Sequence, residues 1–370
     1  MLIDKIEVDT VKMPLVNPFE TSFGKLKEKD FLIVKLFGKN HVGLGESVAL
    51  PDPTYSEETT GTVSYMLEKF LIPMLFKHEI QHPDDVSTIF SPIRRNNMAK
   101  AALEGAVWDL YSKEKGIPLA RALGGTQPTI DVGVSIGIEA TTEQLLSKVE
   151  RFLAEGYKKI KIKIKPGYDL EPLTKIRETF GYDIPLMADA NSAYSLKDLS
   201  HLKKFDALNL MMIEQPLAYD DIIDHSVLQK EIKTPICLDE SIHSAEDARK
   251  AIELRSCKII NIKIGRVGGL SEAKKIHNLC QSHAIPVWCG GMLEGGIGRA
   301  HNIAITSLSG FTIAGDTSAS NRYWQEDIIV PEVTLSSPGE ISVPTSSGIG
   351  YELNEEVIQK HLLNKKVYTS

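Results

Sequence analysis

Cysteine is scarce, and what there is shows no pairing pattern. Cys237, Cys257, Cys280 and Cys289 include no C-x-x-C spacing, which argues against a zinc knuckle or a disulfide framework and for a reducing, cytoplasmic compartment. Positive charge is in deficit. The 42 Lys and Arg against 49 Asp and Glu leave a net charge of −7, so no global basic field gathers nucleic acid or anionic lipid. Long apolar runs are missing as well. Residues 1–16 interleave Asp4, Lys5, Glu7, Asp9 and Lys12 with apolar neighbours, which argues against a secretory signal, and no later run reaches membrane-spanning length. Trp108, Trp288 and Trp324 are read as packing residues, and the ten histidines show no metal-ligand spacing. What remains is an ordinary folded composition, 42% hydrophobic and 25% charged. A length of 370 residues suggests two structural units, at a prior of roughly 150 residues each.

Residues 3–14 and 30–38 read as strands bracketing a loop that holds Phe19, Phe23 and Gly24. A helix is expected over residues 56–70, opened by Ser56-Glu57-Glu58, and another over residues 99–115, closed by Gly116 and Pro118. This opening part is α+β. After Gly124-Gly125 short apolar runs alternate with amphipathic helices, the pattern of βα units around a parallel sheet. Eight strand candidates follow, at residues 131–137, 159–165, 184–191, 208–216, 235–241, 258–265, 285–291 and 311–316. Eight in sequence suit a barrel better than an open sheet. Near the strands' carboxyl ends Lys163, Asp189, Glu214, Asp239, Lys263 and Cys289 recur every 24–26 residues, one βα unit per step. From about residue 321 the chain returns to mixed β and loop character.

Asp189, Glu214 and Asp239 each close an apolar strand, where side chains of a (β/α) barrel enter the catalytic mouth. Three converging carboxylates repel, and burial without counter-charge costs several kcal/mol per ion, so a hard cation, Mg²⁺ or Mn²⁺, is expected over zinc. The alternative is that each acid caps the next helix or pairs with a barrel lysine. Alternation in residues 158–165 sends Ile160, Ile162 and Ile164 one way and Lys159, Lys161, Lys163 and Lys165 the other. A solvated edge strand or a basic patch would look the same, but Lys263 repeats the style on the sixth strand, across the barrel from Lys163. Two lysines flanking a metal suit abstraction of a proton alpha to a carboxylate, with the cation neutralising the enediolate. Asn191 points into the same mouth or caps the following helix. Arg266, three residues after Lys263, is expected either to disfavour the protonated lysine or to be a solvated or structural ion-pairing residue.

Together with Asp189-Ala-Asn191, Glu214-Gln-Pro216, Asp239-Glu-Ser241, Asn261-Ile-Lys263 and Gly290-Gly291-Met292-Leu293-Glu294, the K-x-K strand resembles the enolase superfamily, muconate lactonizing enzyme subgroup. Including residues 315–320, the chain is similar to the o-succinylbenzoate synthase and N-succinylamino acid racemase family over nearly its whole length. Lysine bases working beside Mg²⁺ are established for enolase-superfamily sites. The resemblance implies a modified TIM barrel, (β/α)7β, at residues 126–320, under an α+β capping domain formed by residues 1–125 and completed by 321–370. It implies Lys163 as principal acid/base, Lys161 as helper near the substrate carboxylate, Lys263 opposite, and Asp189, Glu214 and Asp239 as Mg²⁺ ligands. Phe19, Phe23 and the Leu50 region become cap contacts to substrate, with Ser135, Asn191, Gly291, Met292 and Leu293 on the barrel side. Gly295 stands where relatives usually carry a small hydroxyl residue. Cys289 occupies the strand-seven position at which the mandelate racemase subgroup has histidine. The activity implied is dehydration of 2-succinyl-6-hydroxy-2,4-cyclohexadiene-1-carboxylate in menaquinone biosynthesis, or racemisation of N-succinyl and other N-acylamino acids. The expected partner is a small carboxylate, with no nucleic acid and no membrane, and a homo-oligomer is expected. A Schiff-base lysine or a non-catalytic carboxylate-binding module are the rival classes.

Overall fold

The computed structural model describes residues 1–21 and 24–370. Lys5–Thr21 (β1) and Gly24–Phe37 (β2) form one long antiparallel hairpin, and Val42–Ser47 (β3) pairs with β2. The C-terminal strand Leu362–Thr369 pairs with the outer edge of β1, Lys5 opposite Thr369, so both ends of the chain build one four-stranded sheet. The segment expected as a loop around Phe19 is strand: the ladder slips between Pro14 and Phe19, then resumes with Phe19 opposite Leu26 and Thr21 opposite Gly24. Proline and asparagine at residues 14–18 break the sequence alternation without ending the pairing. Both faces of this sheet are covered. Ile6, Val8, Leu32, Val34 and Leu36 pack with the cap helices, whereas Val11, Met13, Phe31 and Ile33 join the core shared with the barrel.

The long cap helix Asn97–Glu114 (α1) lies hard on β3, where a Cβ at Gly45 would stand 1.9 Å from the Ala102 carbonyl oxygen. Glycine is required by that approach. The helix expected from Ser56 begins instead at Thr60, capped by Thr59. Glu58 is diverted to α1, accepting from the Met98 and Ala99 amides at 2.8 and 3.1 Å, a tertiary use that overrides the local capping signal.

Seven parallel strands follow in chain order: Val134–Ile136 (β4), Ile160–Lys163 (β5), Leu186–Asp189 (β6), Ile213–Glu214 (β7), Ile236–Leu238 (β8), Ile259–Ile262 (β9) and Val287–Cys289 (β10). Residues 311–316 close the barrel through single parallel bridges, Val287 with Phe311 and Val132 with Gly315. The Asp316 amide donates to the Cys289 carbonyl at 2.9 Å. The architecture is a modified TIM barrel under an α+β cap. Helices alternate with the strands, as in Thr142–Ala154, whose Leu145, Val149 and Phe152 bury one stripe. Met187, Met212, Cys237, Ile259 and Trp288 form a separate apolar cluster within the barrel, and Lys159 Nζ stands 3.2 Å from the centre of the Trp288 ring. Residues after 321 run back along the barrel, Glu340–Ser342 pairing with Thr129–Asp131, before the last strand enters the cap. Among the described residues no helix is long and apolar enough to cross a membrane.

Candidate active site

Parallel register sets the site. Lys163 on β5 is level with Asp189 on β6, which is level with Glu214 on β7. Asp239 and Lys263 are the first residues beyond β8 and β9. Non-glycine residues in the left-handed region follow at once: Asn191 at φ 41°, Ser192 at 64° and Gln215 at 36°. Such conformations persist where surroundings over-determine them. Gln215 shows how: its Oε1 accepts from the Asp239 amide at 2.9 Å and its Nε2 donates to Ser241 Oγ at 2.6 Å, bracing one strand end against the next.

Among the described residues no three carboxylate, imidazole or thiol groups gather as a metal cluster; each expected ligand is turned onto a side-chain cation instead. Lys163 Nζ donates to Asp189 Oδ2 at 2.6 Å and to Asn191 Oδ1 at 2.8 Å, so Asn191 serves the site and not a helix cap. Lys161 Nζ lies 3.2 Å from Glu214 Oε2, 3.4 Å from Asp189 Oδ2 and 2.5 Å from Asp316 Oδ2. Lys263 Nζ donates to Asp239 Oδ2 and to the Tyr55 hydroxyl, both at 2.7 Å. The three buried acids are each paired with a barrel cation, as buried anions require counter-charge.

Arg266 makes the ion pair that was the alternative to a tuning role. Its guanidinium donates to Asp239 Oδ1, to the Ile242 carbonyl at 2.7 Å and to the Asn261 carbonyl at 2.7 Å. Asp239 is thus shared between Arg266 and Lys263. Burial works against the Lys263 ammonium, but Tyr55, Glu240 and Glu214 outweigh it and hold the group above its ordinary value. Lys161 is likewise held up against burial by Asp316, Glu214 and Asp189. Lys163 alone of the three is pushed down, by burial, with Asp189 opposing.

The donor set fits a hard cation in its chemistry. Asp189, Glu214 and Asp239 are fully buried and offer only oxygen. Burial and then Asp189 push Glu214 above its ordinary value, and the same two causes raise Glu240, whose Oε2 is buried without a hydrogen-bond partner.

A cavity of about 230 Å³ lies between barrel and cap. Lys163, Lys263 and Asn191 line it from the barrel, Gly291, Met292 and Leu293 from the segment after β10, and Phe19 and Leu50 from the cap, as expected. Phe23 lies outside the described residues. Lys161 and the three acids are not on the lining; Lys163 and Lys263 tie Asp189 and Asp239 to it. Ser135 does not line it either: it is buried level with Lys161, its carbonyl accepting from Arg322 at 2.8 Å. Sequence reasoning missed Leu26, Thr54 and Tyr55 on the cap wall, and Asp316 behind Lys161. Asp316 was discoverable, since it stands at the carboxyl end of the eighth strand candidate, as Asp189 stands near that of the third. Tyr55 carried no pattern of its own.

The fold and its strand-end charges define a capped-barrel acid/base enzyme. Residues 5–124 match the mandelate racemase / muconate lactonizing enzyme N-terminal domain, and residues 144–357 match the enolase C-terminal domain-like family. The o-succinylbenzoate synthase of Geobacillus kaustophilus is 55% identical over 367 residues, covering 99% of this chain and 97% of that protein. The N-succinylamino acid racemase of Thermus thermophilus is 47% identical over 360 residues, 97% of each chain. A solved enolase-superfamily member from Listeria innocua superposes with a TM-score of 0.96 at 43% identity, over 100% of this chain and 99% of that one. This chain belongs to the enolase superfamily and, within its muconate lactonizing enzyme subgroup, to the o-succinylbenzoate synthase and N-succinylamino acid racemase family.

Proposed function

We propose that this chain is an o-succinylbenzoate synthase, dehydrating 2-succinyl-6-hydroxy-2,4-cyclohexadiene-1-carboxylate in the cytoplasm as a step of menaquinone biosynthesis. The observation that carries the reading is that Lys163 and Lys263, on strands across the barrel from each other, line one cavity. Asp189, Glu214 and Asp239 would hold Mg²⁺, or Mn²⁺ in its place, whose charge would offset the charge that collects on the substrate carboxylate. Lys163 takes the proton alpha to that carboxylate, and the bonding pair moves toward the carboxylate oxygens. The same lysine then returns the proton to the departing hydroxyl, so that water leaves as the C–O bond breaks and the ring becomes aromatic. Lys161, behind the cavity wall on Asp189 and Glu214, supports the side of the substrate carboxylate with its charge, and Lys263 offers positive charge from the opposite side.

A second reading, racemisation of N-succinyl and other N-acylamino acids, is favoured by the Thermus relative and by the same two lysines. In it Lys163 and Lys263 take and give the alpha proton on opposite faces. Turnover of the purified protein on both substrates, with Mg²⁺ and after chelation, tests the proposal. Failure to convert either substrate in the presence of Mg²⁺ refutes it.

A further inference from the structure

Lys29, on β2, is fully buried and faces the barrel beside Phe31. Its Nζ donates to the Met292 carbonyl, 263 residues away. Glu46, on β3, reaches the same segment from its other end: Oε1 accepts from the Gly295 amide at 2.7 Å and Oε2 from the Gly298 amide at 2.8 Å. The helix Gly296–Thr306 has no side-chain cap of its own, so Glu46 supplies from the cap domain what an N-cap residue ordinarily supplies. Between these grips stands Leu293 in the left-handed region at φ 56°, and Glu294 Oε1 accepts from the Met292 amide at 2.8 Å. Met292 and Leu293 line the cavity, and Leu26, on the same strand as Lys29, lines it from the cap.

Stability alone does not recommend these charges. Burial pushes Lys29 down to about 8 and Glu46 up to about 7, and well-packed apolar residues in such places are often equally stable or more so. What the charges provide is direction, since an ammonium and a carboxylate fix backbone groups that apolar contacts leave free to slide.

We propose that Lys29 and Glu46 are positioning residues that lock the Met292-Leu293 wall to the cap, so that both walls around the substrate's acyl tail move as one unit. The inference rests on the cavity being the substrate site. Neither residue lines the cavity, and both act through the backbone of residues 292–298.

The test compares Lys29→Met, Lys29→Arg and Glu46→Gln with wild type, by steady-state kinetics and by calorimetric binding of the product o-succinylbenzoate. Glu46→Gln keeps the shape and one of the two acceptors, so it decides the matter if Lys29→Met does not fold. Displacement of a positioned wall by about 1 Å can cost up to about a hundredfold. The expected result is a rise of at least about tenfold in KM and product Kd for Lys29→Met, a smaller rise for Glu46→Gln and partial recovery in Lys29→Arg, with kcat within about twofold. Unchanged KM and Kd in folded variants overturns the proposal. So does a loss confined to kcat or to the folded fraction. If wild type neither binds the product nor turns over, the reading of the cavity has failed, and this comparison never arises.

Discussion

Lys263 donates to the Tyr55 hydroxyl at 2.7 Å, which sets a cap residue directly on a barrel lysine that faces the cavity. The hydroxyl also donates to Asp239 Oδ2 at 3.4 Å, so it bridges the lysine and its carboxylate partner. Tyr55→Phe keeps the ring, whose centroid is 4.8 Å from the ammonium, and removes the bridge. Hydrogen bonds to charged groups contribute about 1.5–3 kcal/mol, so kcat/KM is expected to fall about tenfold or more. The loss should be larger for the enantiomer deprotonated from the Lys263 side. Equal kinetics for Tyr55→Phe and wild type would leave Tyr55 as wall only.

Removing the cation should silence the enzyme without unfolding it. Chelation is expected to abolish turnover, and Mg²⁺ or Mn²⁺ to restore it, because the charge that collects on the substrate carboxylate then has no cation to offset it. Glu214→Gln replaces one carboxylate of the proposed ligand set with a neutral amide. Added Mg²⁺ should therefore raise the melting temperature of wild type but not of Glu214→Gln, since only a ligand bound by the native state stabilises it. Full activity in excess chelator would sink the metal assignment.

The two lysines separate by face. Lys163→Ala should eliminate dehydration and racemisation together. Lys263→Ala should still exchange the alpha proton of one N-succinylamino acid enantiomer with solvent deuterium, because Lys163 remains able to take it. Proton NMR in D₂O reads this directly, and loss of exchange for both enantiomers would remove the support for two bases.

Much of this site is legible because barrel strands repeat. Lys163, Asp189, Glu214, Asp239 and Lys263 stand at matching strand ends, so a regular interval in sequence becomes a ring in space. The cap does not repeat. Tyr55, Thr54 and Leu26 reach the cavity only because a hairpin and a loop fold over the barrel, and no local period announces that. Glu58 misled the helix start for the same reason, its carboxylate answering amides some 40 residues away. Arg266 was visible as a charge near Lys263, but only the fold reveals that Asp239 takes it up.

Arg266 has a structural role that can be tested against the tuning one. It is almost fully buried and serves Asp239 and two carbonyl groups. Breaking a buried ion pair by removing one partner costs about 3–5 kcal/mol. Arg266→Gln should lower the melting temperature and reduce synthase and racemase turnover by similar factors. A selective loss of racemisation with unchanged melting would return Arg266 to a tuning role.

Gly295 offers the sharpest test of packing at the segment that walls the cavity. Its φ of −70° is open to any residue, so the backbone does not demand glycine. Space does: a Cβ there would meet Ile328 Cδ1 at 2.8 Å and Glu46 Oε2 at 3.2 Å. A serine here would bring a hydroxyl that competes with Glu46 for the Gly298 amide while its Cβ presses on Ile328. Overpacking of this kind costs about 1–3 kcal/mol, so Gly295→Ser should melt earlier than wild type. Ile328→Val removes the offending methyl at a cost of about 0.5–1.5 kcal/mol by itself. The double variant should then be more stable than the sum of the two losses, a positive coupling that a double-mutant cycle of melting or denaturant curves measures. Strict additivity, or a Gly295→Ser protein more stable than wild type, would mean that the helix gains more from a hydroxyl cap than it loses against Ile328.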